Sequence, residues 1–253
     1  DQAAGKRKAT RPLGATKPPS KGEKEPREKL RPRLKAAGSL PADLSLNRFK
    51  KATLPQSNKI IYMGKRIIFE DGHYYHIFNR GADKNDIFKK PDEYLFFLRR
   101  IKEYLPKAGV NLICYCLMPS HYHFILQQTK EFGISNFIMR LSTSYTQSIN
   151  KKYERSGVLF QGSFKAKHID KEEYLIYLCR YIHLNPVKAN IALHPDYWPY
   201  MNWLEFINKR SGSLFSLDFR QYILQNHIDY QGLVLDFLKN KEVDGRIDEY
   251  MLD

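Results

Sequence analysis

The sequence has little cysteine and no long apolar run, and both absences restrict the kind of protein that it encodes. Its three cysteines, Cys114, Cys116 and Cys179, form neither two metal-binding pairs nor an even disulfide framework. No stretch is apolar over the roughly 18 or more residues that a membrane-spanning helix needs, and the first residues show no charged-then-apolar leader. We therefore expect a soluble, cytoplasmic protein and not a secreted or membrane-embedded one.

Aromatic residues are nearly absent from residues 1–62, which instead hold seven of the 13 prolines. This segment has 16 Lys and Arg against 5 Asp and Glu, a balance of +11 that leaves only +4 of the net charge of +15 for residues 63–253. It buries too little apolar area to offset chain entropy, so we predict a disordered basic extension. The extension is either an arm that grips nucleic acid or a dispensable tail, and Met63 is an alternative native start.

The spacing of apolar residues in the rest of the chain predicts an α+β fold. Alternation predicts strands, and three-to-four-residue spacing predicts helices with caps at Ser135 and Asp170. The order strand, helix, strand, strand, helix, strand, helix is the split βαβ or ferredoxin-like pattern of an antiparallel sheet, with one added helix. We expect this domain at residues 63–205, followed by a helical C-terminal extension at 206–253. The strands are predicted at 73–78, 110–117, 121–127 and 164–169, and the helices at 91–108, 134–155 and 170–185.

A histidine pair is the first candidate for chemistry. His121 and His123 flank Tyr122 in the third predicted strand, so both imidazoles project from one face and Tyr122 projects from the other, towards the core. Two neutral imidazoles side by side are half of a metal site. The other reading is that they are ordinary structural histidines, which is what we predict for His76 and His183.

The last predicted helix carries a second candidate, because Tyr181 and Asn185 lie one turn apart. If this helix crosses the face with the histidine pair, two imidazoles and the Asn185 carbonyl can hold a divalent ion beside Tyr181. Such a site suits attack of a phenol on a phosphodiester, since a phenol with a pKa near 10 is also a reasonable leaving group. Pro186 disfavours helical geometry at Asn185, and Tyr174 and Tyr177 are alternative nucleophiles on the same helix.

Four blocks of residues, in this order, resemble the signatures of single-tyrosine HUH transposases, and the branch associated with repetitive extragenic palindromes is the most similar. The resemblance spans residues 63–205. The blocks are Tyr75-His-Ile-Phe-Asn-Arg-Gly81, Met118-Pro-Ser-His-Tyr-His123, Ser156-Gly-Val-Leu-Phe-Gln-Gly162 with Phe164-Lys165, and Arg180-Tyr-Ile-His-Leu-Asn-Pro-Val-Lys188.

The resemblance implies a metal-dependent enzyme that nicks single-stranded DNA near a hairpin and transfers the strand through a 5′-phosphotyrosine. It implies Tyr181 as the nucleophile, and His121, His123 and Asn185 as ligands of Mg²⁺ or Mn²⁺. It also implies a nucleoid-associated protein of bacterial type, acting as a monomer or homodimer. Ser163 stands where the family often has an arginine. The candidates for DNA contact are Arg80, Lys165, Lys167 and Lys188.

A non-catalytic nucleic-acid-binding module is the alternative, because ferredoxin-like sheets with exposed aromatic side chains also stack bases. Such a module is expected to expose aromatic side chains on its first and third strands. Here the third predicted strand presents two histidines on that face instead of aromatic side chains, which favours the enzyme.

Overall fold

A four-stranded antiparallel sheet lies at the centre of the computed structural model, which describes residues 62–63, 66–214, 216–226 and 229–240. The strands lie side by side in the order β2, β3, β1, β4, and all neighbours are antiparallel. This is the predicted ferredoxin-like arrangement, and the α+β prediction is confirmed. The strands are β1 (Tyr74–Arg80), β2 (Val110–Leu117), β3 (His121–Gln128) and β4 (Lys165–Ile169).

Six α-helices accompany the sheet in the described part of the chain, and none of them is both long and apolar enough to cross a membrane. The two-residue strands Tyr62–Met63 and Arg66–Ile67 form a separate antiparallel pair. The basic extension predicted for residues 1–62 lies outside the described residues, apart from Tyr62. The helices are α1 (Pro91–Tyr104), α2 (Gly133–Lys152), α3 (Glu172–Lys188), α4 (Trp203–Phe206), α5 (Leu217–Gln225) and α6 (Tyr230–Asn240).

One face of the sheet packs against α1 and α2, and we call it the aromatic face. Because strand side chains alternate, it takes Tyr75 and Ile77 from β1 and Tyr122, Phe124 and Leu126 from β3. All five side chains are almost completely buried, so the prediction that Tyr122 is a core residue is confirmed. The predicted apolar stripe of α2 is also buried here, namely Ile134, Ile138, Leu141, Tyr145 and Ile149.

The opposite face, which we call the histidine face, is covered by α3. Its register pairs Phe78 with His123 and Arg80 with His121 between β1 and β3. On the other side of β1, the register pairs Phe78 with Lys165 and His76 with Lys167. Helix α3 buries Leu178 and Ile182 in a second apolar cluster that includes Ile125 of β3, together with Trp203, Phe219 and Tyr230 from the later helices.

Two predicted helix caps are wrong. Helix α2 begins at Gly133 after Phe132, which has a left-handed φ of 57°, so Ser135 lies inside the first turn. A Cβ on residue 133 would lie 2.4 Å from the carbonyl oxygen of Gly109, so close backbone packing requires glycine there. Helix α3 follows an extended Lys171 that provides no side-chain cap, and Asp170 lies one residue too early to act as the cap.

Candidate functional site

The two histidines of β3 lie side by side on the histidine face. Their ring centroids are 5.1 Å apart and the rings are nearly perpendicular, at 87°. Burial, with a smaller contribution from Arg80, lowers the pKa of His121 to about 4. Burial, followed by the neighbouring His76 and His121, lowers the pKa of His123 well below its ordinary value. Both rings are therefore neutral at pH 7, which is the form that binds metal ions.

Each imidazole of the pair makes its described hydrogen bond through Nδ1. Nδ1 of His121 lies 3.0 Å from Oγ of Ser120, and Nδ1 of His123 lies 2.9 Å from Nε2 of His76. This leaves Nε2 of each ring for a ligand, as in metal sites where an outer partner orients the histidine. His76, which the sequence predicts to be merely structural, is therefore part of the candidate site. The sequence places His76 in the first predicted strand. Assigning it to the same face as His123 requires the register between β1 and β3, which the sequence alone does not give.

Tyr181 projects from α3 onto the same pair of histidines. Its ring centroid lies 6.4 Å from that of His123 at 88°, and the side chain is 8 % exposed. Nζ of Lys188 lies 4.4 Å from the Tyr181 ring centroid, a cation–π contact. Tyr177 on the same helix is instead stacked on Arg180, with the guanidinium carbon 4.4 Å from its ring centroid. Among the candidate tyrosines, the described contact with His123 thus belongs to Tyr181.

Asn185 lies one turn beyond Tyr181, and α3 continues through it and through Pro186 to Lys188. The proline therefore does not end the helix, and both side chains keep the predicted spacing. Asn185 is 6 % exposed, and its Nδ2 is buried without a hydrogen-bond partner in the described part of the chain. A buried amide with an unpaired end has room for a further partner, and a flip of the amide would place its oxygen at that end.

The donor set fits a divalent cation. Two neutral imidazoles and an amide oxygen are acceptable ligands for such an ion. Within the described residues, no group of three or more His, Cys, Asp or Glu side chains is placed to hold a metal. A bound ion would thus depend on Asn185 and on oxygen ligands from water or substrate.

The predicted basic contacts lie around this site. Arg80 is next to His121 in the register and donates from Nε to Oε1 of Gln161. Lys165 and Lys167 project from β4 on the histidine face, and both line a cleft of about 570 Å³ that also includes Phe69 and Phe164. Lys188 lies over Tyr181. Arg80 and Lys188 thus lie beside His121 and Tyr181, whereas the two lysines of β4 lie at a cleft further along the sheet.

A buried network fixes the side of α3 that faces away from this site. His183 is 0 % exposed; its Nδ1 lies 2.7 Å from the Tyr230 hydroxyl and its Nε2 lies 3.0 Å from Oδ1 of Asn202. Asn202 in turn accepts from the backbone N–H of Tyr115 on β2 and donates to the Ile113 carbonyl. The predicted structural role of His183 agrees with these contacts, which tie α3 to β2 and to α6.

The class of protein follows from these features together: a ferredoxin-like α+β domain with one added helix over a histidine-bearing sheet. Residues 70–185 match the family described as "Transposase IS200 like". This match covers somewhat less than half of the chain, from just before β1 to Asn185 in α3, and shows that the domain is similar to that family.

One of two similar solved structures supports the fold. A REP-associated tyrosine transposase bound to a REP hairpin is 14 % identical, with a TM-score of 0.50 over 62 % of this chain and 95 % of that one. A protein from Deinococcus radiodurans R1, provisionally described as a transposase, is 15 % identical with a TM-score of 0.34, over 48 % of this chain and 95 % of that one. No match was found among curated protein sequences. At this identity the first structure supports the fold alone.

Proposed function

We propose that this protein cleaves single-stranded DNA near a hairpin or palindrome and transfers the strand through a 5′-phosphotyrosine on Tyr181. The observation that carries the proposal is the contact between Tyr181 and His123, with ring centroids 6.4 Å apart within a single chain. A tyrosine held over a buried histidine pair suits covalent attack on a phosphodiester.

The reaction has two transesterification steps. The Tyr181 phenol loses its proton, its oxygen forms a bond to phosphorus, and the bond from phosphorus to the 3′ oxygen breaks. That 3′ oxygen takes up a proton and leaves as a hydroxyl. A different 3′ hydroxyl then attacks the phosphotyrosine and releases the phenol, so each step replaces one phosphoester bond with another.

His121, His123 and Asn185 would hold Mg²⁺ or Mn²⁺. When bound, such a cation would supply positive charge to the phosphate oxygens and to the departing 3′ oxygen. The buried neutral histidines and the unsatisfied Asn185 amide support this assignment.

Hairpin DNA is the proposed partner, bound by Arg80, Lys165, Lys167 and Lys188. The hairpin in the similar solved structure supports this choice, as does the position of Arg80 and Lys188 beside His121 and Tyr181. Because one chain supplies both the histidines and the tyrosine, a monomer has the residues that the reaction needs. We assign this activity to a domain at residues 63–205, with 206–253 as a C-terminal extension.

The test is covalent capture of DNA. A hairpin oligonucleotide labelled on either side of the cut is incubated with Mg²⁺ or Mn²⁺ and analysed on a denaturing gel. We expect an adduct that keeps the label 3′ of the cut, and we expect Tyr181→Phe to abolish the adduct while hairpin binding persists. Tyr177→Phe is the matched control, since it removes a hydroxyl four residues earlier on the same helix. An adduct formed by Tyr181→Phe would refute the assignment.

A non-catalytic nucleic-acid-binding module is the second candidate. The cleft at β4 favours it, because Phe69 and Phe164 line that cleft together with two lysines, as in sites that stack bases. Hairpin binding without any adduct, over a range of sequences and with both metals, would support this candidate.

A further inference from the structure

A third histidine, His76, lies beside His123 on the histidine face. Its side chain is 0 % exposed, and its ring stacks on that of His123 with centroids 5.1 Å apart and an angle of 17°. The Phe78 ring centroid lies 4.8 Å from that of His76. The 2.9 Å contact between Nε2 of His76 and Nδ1 of His123 is therefore held by packing.

This hydrogen bond couples the protons of the two rings. A neutral imidazole carries one proton, so one of the two facing nitrogens donates and the other accepts. If His123 donates from Nδ1, its Nε2 keeps a lone pair and can bind a metal ion. If His76 donates instead, the proton of His123 lies on Nε2 and blocks that nitrogen.

We infer that His76 is a positioning residue, which accepts from Nδ1 of His123 and so keeps the Nε2 lone pair of His123 available to the cation. The inference rests on the proposed function, because it concerns the same metal site. It adds a residue that acts only through His123.

An unpaired atom distinguishes this role from ordinary packing. Nδ1 of His76 is buried and has no hydrogen-bond partner in the part of the chain that the structure describes. In the inferred tautomer this nitrogen carries the proton of His76, and a buried N–H without a partner is unfavourable, so an apolar ring of similar size would be more stable at this position. Fold stability alone therefore does not explain a histidine at this position.

The sheet contains a matched control pair. Nδ1 of His73 lies 2.7 Å from Nε2 of His168, and the ring centroids are 4.9 Å apart. His168 pairs with Tyr75 in the register, so it projects on the aromatic side of the sheet and away from His123. Substitutions at His168 disturb a similar contact without affecting the candidate site.

The experiment measures the affinity for Mn²⁺ alone, without DNA, by the electron paramagnetic resonance signal of the free ion. His76→Phe keeps a ring but removes the acceptor, and we expect it to weaken Mn²⁺ binding about 10–100-fold, as loss of an outer partner does in other metal sites. His76→Gln places an acceptor near the former Nε2, and we expect it to restore most of the affinity. His168→Phe and His168→Gln should bind like the unmodified protein, and thermal unfolding verifies that each variant is folded.

Two results would overturn the inference: unchanged affinity in folded His76→Phe, or an equal loss in His76→Gln and His76→Phe. If a variant with both His121→Ala and His123→Ala binds Mn²⁺ as well as the unmodified protein, the proposed metal site fails instead. The role of His76 is then decided by ¹⁵N NMR of the imidazole nitrogens without metal. We expect the Nδ1 resonance of His123 to shift in His76→Phe and not in His168→Phe, and an unshifted resonance would refute positioning.

Discussion

The two faces of one sheet differ in the chemistry of what they bury. The aromatic face packs Tyr75, Tyr122 and Phe124 against α1 and α2. The histidine face, under α3, buries His76, His123 and Asn185. Since the strands are shared and their side chains alternate, a single backbone serves both purposes.

The difference leads to the hypothesis that fold stability and the proposed activity depend on opposite faces of the sheet. Burial of aromatic rings stabilises the folded chain in proportion to the apolar area removed from water. Burial of imidazoles and of an amide with unpaired atoms opposes folding, so such residues indicate a role in binding or catalysis. Substitutions on the aromatic face should therefore change stability, and those on the histidine face should mainly change DNA cleavage.

The largest expected effect compares two buried tyrosines, one on each face. Tyr181→Phe should reduce the covalent protein–DNA adduct to below detection, because it removes the proposed nucleophile. Tyr122→Phe should form the adduct like the unmodified protein, since Tyr122 projects on the opposite side of β3. Adduct yields on a denaturing gel measure both effects, and adduct loss in folded Tyr122→Phe would contradict the division between the faces.

The next effect concerns the aromatic face. Phe97 of α1 is 0 % exposed and contacts the rings of Tyr122, Phe124 and Tyr145. Phe97→Ala should lower the free energy of unfolding by about 3–5 kcal/mol through lost burial and the cavity left behind. Urea unfolding measures this change, while the fraction of protein that remains folded should keep its Mn²⁺ affinity. A loss of affinity in that fraction would show that the two faces are coupled.

A smaller effect is expected where α6 meets α3. Tyr230→Phe leaves Nδ1 of the buried His183 without its partner, which should cost about 1–3 kcal/mol of unfolding free energy. Cleavage should slow as well, because His183 lies two residues from Tyr181 on the same helix. Tyr222→Phe is the control, because Tyr222 of α5 is a half-buried tyrosine and the substitution removes the same hydroxyl group. Equal stability of Tyr230→Phe and the control would show that the contact contributes nothing.

The smallest expected effect is a change in how the unfolding free energy depends on pH when His76 on the histidine face is replaced. Burial, with a lesser effect of Lys167, lowers the pKa of His76 to about 3, so the unfolded chain binds the proton more readily. Stability should then fall as pH drops below the ordinary histidine value of about 6.5. His76→Gln should reduce the slope of the unfolding free energy against pH between about pH 6.5 and pH 4.5, and the slope from His121 and His123 should remain. An unchanged slope in this variant would mean that His76 does not contribute.

Glu93 in the first turn of α1, the helix on the aromatic face, is a second buried group whose pKa affects the pH dependence of stability. Burial raises its pKa, but hydrogen bonds from Lys152, Tyr153 and two backbone N–H groups outweigh burial and hold the pKa below its ordinary value. Its contribution is present above the unfolded pKa and is lost as pH falls through the lower folded value. Glu93→Gln should therefore alter the pH profile mainly below about pH 4.5, which is below the pH interval in which the His76→Gln variant is compared.

Local patterns predicted most of the fold. The strand predicted at 110–117 coincides with β2, and the helical spacing from Ile134 to Ile149 predicted the buried stripe of α2. These signals are strong because side-chain direction follows from local backbone geometry. The one-turn spacing of Tyr181 and Asn185 was predicted in the same way, since it needs only a continuous helix.

Contacts between distant segments were not predictable from local patterns. His76 and His123 are 47 residues apart, and their contact depends on the register of β1 against β3. The start of α2 was also missed, because it is set by Gly133 packing against the Gly109 backbone rather than by a capping side chain. In both cases tertiary packing determines what the local sequence leaves open.

The position of β4 at the end of the sheet has a consequence for self-association. Within the described residues, the four-stranded sheet ends at β4, and an open strand edge can pair with another copy of the chain. Lysines on an edge strand discourage such pairing, and β4 carries Lys165 and Lys167. Neutralising these two lysines should therefore promote aggregation in addition to weakening the proposed DNA binding, whereas Lys→Arg exchanges keep the edge charged.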